Sequence, residues 1–225
     1  MGLYLTLMHL NPLAPDVLKD LRDPHALHGR IMRAFPVVLD PEEKARAYLG
    51  VLHRLESDRR SGRLLLYVQS GIMPDWSFLP QQYLLDVELA NPSVKAVGRI
   101  YEGIAAEKVL RFRLRVNPTR KIETKSGPDG TRHNGRRVPL NGVDAQVAWL
   151  TRKGTECGFE LLRATVAGAG AGEMVRSHST GRTFQGVLFE GQLVVRDPER
   201  FRLALTKGIG PGKAYGFGLL SIGPG

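Results

Sequence analysis

Two of the six histidines in this chain, His25 and His28, stand three residues apart in a stretch whose apolar residues recur at helical spacing. Residues at i and i+3 are neighbours on a helix surface. An imidazole titrates close to neutrality, so each ring can take up or release a proton at physiological pH. On a helical wheel the pair flanks the apolar face of Leu27, Ile31, Ala34 and Phe35 without lying in its middle, so both rings can border a groove. Taken alone, such a pair is more often a pair of solvated polar residues. A metal site would need further ligands, and no Cys/His cluster supplies them. His9, His53 and His133 take part in no such pattern.

A second group lies near the C-terminus, where Gly208, Gly210, Gly212, Gly216 and Gly218 punctuate eleven residues that also hold Lys213. A phosphate-binding P-loop would need Ser or Thr after Gly-Lys, and position 214 is Ala. A dinucleotide loop would need a strand before it and a helix after it; here a helix precedes and a strand follows. Glycines at these spacings permit positive φ and let another part of the chain come close. Lys213 can either touch a phosphate or cap the loop.

A third group is cationic. Segment 111–137 holds seven arginines and two lysines against Glu123 and Asp129, so 9 − 2 = +7 of the chain's net +10 falls there. Arg111, Arg113 and Arg115 alternate with Leu110, Phe112, Leu114 and Val116, so a strand would turn the arginines to one side. Guanidinium forks in a row suit a phosphate backbone, with affinity that falls steeply as salt rises. Arg120, Lys121, Arg136 and Arg137 extend the charge into the following loop. The competing reading is a solvated sheet face beside a charged loop. Charge does not separate RNA from DNA. The aromatic motif of a base-reading RNA-recognition sheet is missing, so shape and backbone contacts would dominate.

These groups need elements to hold them. The 225 residues are 42% hydrophobic, which suits one large domain or two small ones. A strand over 3–10 is followed by a helix capped by Asp23-Pro24 and ended by Pro36. Strands over 49–56 and 63–70, a short helix near 76–82 and a strand near 83–89 complete β-α-β-β-α-β. The same order recurs: a strand over 109–116, a long loop or hairpin over 117–139, and a helix from Val143 to Lys153 capped by Asn141 that buries Val143, Val147 and Leu150. Strands over 158–165 and 186–195, a helix after Asp197-Pro198 and a last strand over 215–222 follow. The fold class is α+β, two tandem ferredoxin-like (RRM-like) βαββαβ domains, spanning 1–92 and 108–225 with a linker over 93–107. Residues 167–183, with Arg176 and His178, are low in complexity and expected to be mobile without RNA. The single Cys157 excludes an internal disulfide framework and points to a reduced, cytoplasmic setting. The N-terminal run reads as a first strand and not as a signal peptide, and no apolar run reaches the ~20 residues a membrane helix needs, so no membrane partner is expected.

Gly208-Ile209-Gly210, five residues, then Gly216-Phe217-Gly218 resembles the glycine-rich loop of the RAMP superfamily. Its continuation Leu219-Leu220-Ser221-Ile222 is similar to the CasE-type CRISPR endoribonucleases of type I-E Cascade. Arg111-Phe112-Arg113-Leu114-Arg115-Val116-Asn117-Pro118, Val147-Ala148-Trp149-Leu150, Leu188-Phe189-Glu190-Gly191 and Leu27-His28 agree in order, so the resemblance spans nearly the whole chain. It implies cleavage of CRISPR precursor RNA at the 3′ base of each repeat hairpin, without metal or other cofactor, by attack of the substrate's own 2′-hydroxyl. It also implies retention of the product beside other Cascade subunits. In the family the position of His28 carries the catalytic histidine, and that of His25 is commonly tyrosine. The resemblance gives His28 the part of base or acid and His25 the complementary part or the orienting of the phosphate. Arg33 matches a position often basic and near the scissile phosphate, and Arg176 and His178 match positions that meet RNA near the cut. The alternative is a non-catalytic RNA-binding scaffold of the same superfamily; such scaffolds lack the first-helix histidine.

Overall fold

Residues 2–38, 45–57, 62–122, 137–167 and 173–225 are described by the structure, a computed structural model. The N-terminal half is built from β1 (Tyr4–Leu10), α1 (Pro15–Leu21), α2 (Pro24–Met32), α3 (Ala45–Tyr48), β2 (Leu52–Ser57), β3 (Leu64–Ser70) and β4 (Ser93–Ala96). Alternation in β1 turns Thr6, Met8 and Leu10 inward. α2 starts where the Asp23 side chain accepts the His25 N–H at 2.9 Å and Pro24 presets the first turn. Its apolar stripe, Leu27 and Ile31 followed by Ala34 and Phe35, packs with Met8, Leu10, Leu66, Val68, Trp76 and Tyr83. The antiparallel sheet runs β2-β3-β1-β4.

The C-terminal half follows as α4 (Gly98–Glu102), β5 (Val109–Val116), β6 (Thr119–Lys121), β7 (Arg137–Pro139), α5 (Val143–Glu156), β8 (Phe159–Ala167), β9 (Glu173–Arg176), β10 (Thr183–Val195), α6 (Pro198–Lys207) and β11 (Leu220–Pro224). Its main sheet runs β11-β5-β10-β8, with β9 added on β10. Counted within each half, both sheets have the strand order 4-1-3-2, the ferredoxin-like arrangement. Leu110, Phe112, Leu114 and Val116 of β5 enter one core with Trp149, Leu150, Phe189, Phe201 and Leu205.

The halves are bolted together by polar side chains. Arg54 of β2, almost fully buried, pairs with Glu56 at 2.5 Å and donates to the Leu219 carbonyl and the Ser221 hydroxyl, both at 2.9 Å. Gln69 of β3 donates to the Leu205 carbonyl at 2.8 Å. Removing one partner from such a buried ion pair leaves the other charge without compensation.

Several expectations are corrected. Residues 76–82 form turns, not a helix, and the segment expected as a strand over 83–89 makes only an isolated bridge, Leu10 to Leu84. Trp76 and Tyr83 draw this segment into the core, and the Asn91 side chain bonds both the N–H and the carbonyl of His9, standing in for a strand beside β1. The fourth strand is β4, inside the stretch read as a linker, and Val97 and Tyr101 after it join the second core. α5 is preceded by Gly142 instead of Asn141 and leaves Val143 exposed, burying Gln146, Trp149 and Leu150. β11 begins only at Leu220, because Gly216 and Gly218 adopt positive φ. Within the low-complexity stretch, residues 173–183 hold β9 and a turn anchored by Asp23.

Candidate active site

All five glycines of the loop lie in the left-handed region, at φ between 75° and 89°. Three of these positions also lack room for a side chain, Gly212 because a Cβ there would lie 2.9 Å from the Phe217 ring. A Cβ at Gly208 would lie 2.8 Å from Leu52 of the other half, and one at Gly218 would lie 2.8 Å from the Ile209 carbonyl oxygen. The loop therefore presses on β2, and its 3-10 turn Lys213–Tyr215 rests against α2 and β2.

This contact assembles an imidazole cluster. The His28 ring, half-buried on α2, stacks on His53 of β2 at 6.1 Å between centroids and 17° between planes. His53 is buried, 1% exposed, and its Nε2 would lie 3.5 Å from a Cβ at Gly216. His25, exposed one turn earlier, sits 6.4 Å from the ring of Tyr215. Burial first, then the charges of Arg46 and His25, push His28 down to about 4. Burial, then His28, Arg115 and Arg46, push His53 down to about 3. Both rings are thus neutral at pH 7. Arg46 of α3 is fixed by a 2.9 Å bond to the Val51 carbonyl. Lys213 is half-buried and lowered by that burial and by Arg46.

The turn after β9 closes over this region. Asp23 accepts the Ser179 N–H at 2.9 Å, and Thr180 Oγ1 lies 3.4 Å from the Tyr215 hydroxyl. Burial of Asp23 works against its ionisation, but hydrogen bonds from Ser179 and His25 outweigh it and hold the carboxyl well below the usual carboxylate range. Arg176 and His178, both exposed, are carried on either side of buried Ser177 in this segment.

Other expected residues lie elsewhere. Arg33, the C-cap of α2, places its guanidinium 4.7 Å above the Phe78 ring. At about 100° per residue it points roughly 140° around the helix from His28. Arg111, Arg113 and Arg115 share one face of β5, but that face is no row of free donors. Arg113 pairs with Glu56 at 3.2 Å and Glu190 at 3.0 Å, Arg115 pairs with Glu173 at 2.5 Å, and Arg111 donates to the Pro224 carbonyl. Arg120, Lys121 and Arg137 instead line an open cavity of about 620 Å³, together with Arg152 and Lys153 of α5 and Gly210-Pro211 of the glycine loop. Among the described residues no carboxylate lines it, although Glu156 of α5 pairs with Lys153 and lies 3.9 Å from Arg152. Arg136 lies outside the described residues. Among the described residues no three His, Cys, Asp or Glu side chains converge as a metal site would require.

The sequence reading missed His53, Arg46, Arg152 and Lys153. The first two sit in a strand buried on both faces and in a four-residue helix, where neither periodicity nor spacing marks them. The α5 pair was visible as adjacent cations on a helix, but only the β6–β7 hairpin opposite makes them a wall.

The family model described as CRISPR associated protein matches residues 3–224. The chain belongs to this CRISPR-associated protein family. It is 34% identical over 242 residues to a protein of Thermus thermophilus named CRISPR-associated endoribonuclease Cse3, covering 99% of this chain and all of that one. It is 33% identical over 206 residues to the CRISPR system Cascade subunit CasE of Escherichia coli K12, covering 90% of this chain and 93% of that one. The structure of Thermus thermophilus Cse3 bound to an RNA representing a pre-cleavage complex superposes with a TM-score of 0.81 at 31% identity, covering both chains fully. The two tandem ferredoxin-like units are therefore those of this CRISPR-associated family.

Proposed function

We propose that this chain is an endoribonuclease that cuts CRISPR precursor RNA at the 3′ base of the repeat hairpin and keeps the product within a Cascade-type complex. The observation that carries the reading is a neutral, half-buried imidazole at His28, stacked on His53 beside a glycine-rich loop whose Gly210 and Pro211 also line a basic cavity. A neutral ring is the form that accepts a proton. His28 takes the proton of the ribose 2′-hydroxyl, the 2′-oxygen attacks the adjacent phosphorus, and the P–O5′ bond breaks. His25 returns a proton to the departing 5′-oxygen, leaving a 2′,3′-cyclic phosphate and a 5′-hydroxyl. Arg46 and Lys213 supply the positive potential that steadies the phosphorane. No metal ion or cofactor enters these steps.

Binding falls to the cations around the cavity, with Arg176 and His178 meeting the strand near the cut and Arg33 contacting RNA outside the imidazole cluster. Arg111, Arg113 and Arg115 bind by exchanging their carboxylate partners for phosphates. A reduced, cytoplasmic setting fits the lone Cys157, and among the described residues no helix is long and apolar enough to cross a membrane. The relatives' names support an endoribonuclease and a Cascade subunit.

The test is to mix the protein with a repeat hairpin in excess chelator. Cleavage that leaves a 2′,3′-cyclic phosphate is the expected result. Tight binding with the RNA left whole would instead identify the non-catalytic scaffold of the same superfamily.

A further inference from the structure

We infer that His53 is a positioning residue: its buried ring is the wall that sets the plane of the His28 imidazole. The inference rests on His28 being the proton acceptor proposed above. A working imidazole is ordinarily oriented by a hydrogen bond at its second nitrogen, to a backbone carbonyl or a carboxylate. His28 has no such tether: its Nδ1 is buried and without a hydrogen-bond partner. Its ring instead lies nearly parallel to His53, at a separation typical of offset aromatic pairs.

The wall is fully buried where the ring it supports is only half-buried. His53 sits opposite Val68 in the β2–β3 ladder and is 1% exposed. Its neighbour Arg54 is pinned to Leu219 and Ser221 of the other half. Its outer edge faces Gly216, where a Cβ would lie 3.5 Å away, so the loop backbone at positive φ stands directly against the ring. His53 Nδ1 also lacks a hydrogen-bond partner, so the ring offers its flat face and no directed polar contact. Buried behind His28, it acts through that residue and not on the substrate. The glycine-rich loop thereby gains a second task, closing the pocket that holds the wall in place.

The consequence is that flatness at position 53 matters and its nitrogens do not. His53→Phe keeps a flat face, whereas His53→Leu keeps the bulk without it. Single-turnover cleavage by His53→Phe is expected within about threefold of wild type. His53→Leu is expected to lose about ten- to a hundredfold, the scale set by misplacing a reacting group by about an ångström, while hairpin affinity stays unchanged. Rates equal to wild type in His53→Leu would overturn the inference, and so would equal loss in both variants. NMR of the His28 ring protons gives a readout that needs no activity. Their ring-current shift should move in His53→Leu and persist in His53→Phe, and identical spectra from the two variants would contradict the stack. If wild type fails to cut the hairpin but the shifts behave as expected, the nuclease reading fails and the positioning geometry stands.

Discussion

On one side of the glycine-rich loop, Gly216 backs two stacked imidazoles that burial keeps neutral. On the other, Gly210 and Pro211 close a cavity of about 620 Å³ that gathers five cations and, among the described residues, no lining carboxylate. The first region is enclosed, and its chemistry depends on a proton. The second is open, and its chemistry depends on charge. Their difference suggests a division of labour: binding energy is collected on the cationic side, while the neutral side is reserved for interactions that matter in the transition state. The loop can serve both because its glycines accept backbone angles and approaches that other residues do not.

The sharpest way to break this division is His28→Ala. Single-turnover cleavage should fall by about a hundred- to ten-thousandfold, the range of one lost acid–base group, with hairpin affinity unchanged. Comparable loss of binding would merge the two regions into one. The complementary change, Arg120→Ala with Arg137→Ala, should weaken binding and reduce the slope of log affinity against log salt by about two. Cleavage at saturating RNA should persist. An unchanged slope would place the RNA backbone elsewhere.

Acid separates the regions by stability. Above about pH 6.5 the ring of His53 is neutral whether the chain is folded or not. Between there and its folded value of about 3, the unfolded chain takes up a proton that the folded chain refuses. Stability should therefore fall as pH drops through this window, by up to about 1.4 kcal/mol per pH unit for a buried ring. His53→Phe removes that contribution, so its urea midpoint should change less than that of wild type between pH 7 and pH 5. The smallest contrast lies in the loop itself. Gly218→Ala must place a Cβ 2.8 Å from a carbonyl oxygen at positive φ, while Gly223→Ala meets open space. A melting temperature lowered in the first and not in the second is expected.

Much of this was legible before any coordinates. Strict alternation exposed β5, and the stripe of Leu27, Ile31, Ala34 and Phe35 exposed α2 together with its cap at Asp23. The resemblance to the CasE-type enzymes singled out His28 and the glycine loop. What stayed hidden had physical reasons. β4 is a four-residue edge strand with no buried side chain, so it carries no hydrophobic pattern. Residues 76–83 are apolar because they plug a core, not because they form a helix. The arginine face of β5 was read correctly as a face, but Glu56, Glu173 and Glu190 come from distant strands, so their pairing could not be seen along the chain. His53 looked idle for the same reason: its partner lies on another element.

The pH dependence of kcat/KM for hairpin cleavage tests the role of His28 most directly, because it reports the free enzyme's essential acid and base. With a folded value of about 4, His28 is already deprotonated near pH 5. The rate limb that belongs to it should lie in acid and rise with pH, with no loss of its competence between pH 5 and pH 8. A limb that falls with increasing pH around 4 to 5, and disappears in His28→Ala, would show that a charged imidazole does the work and that the neutral-base assignment is wrong.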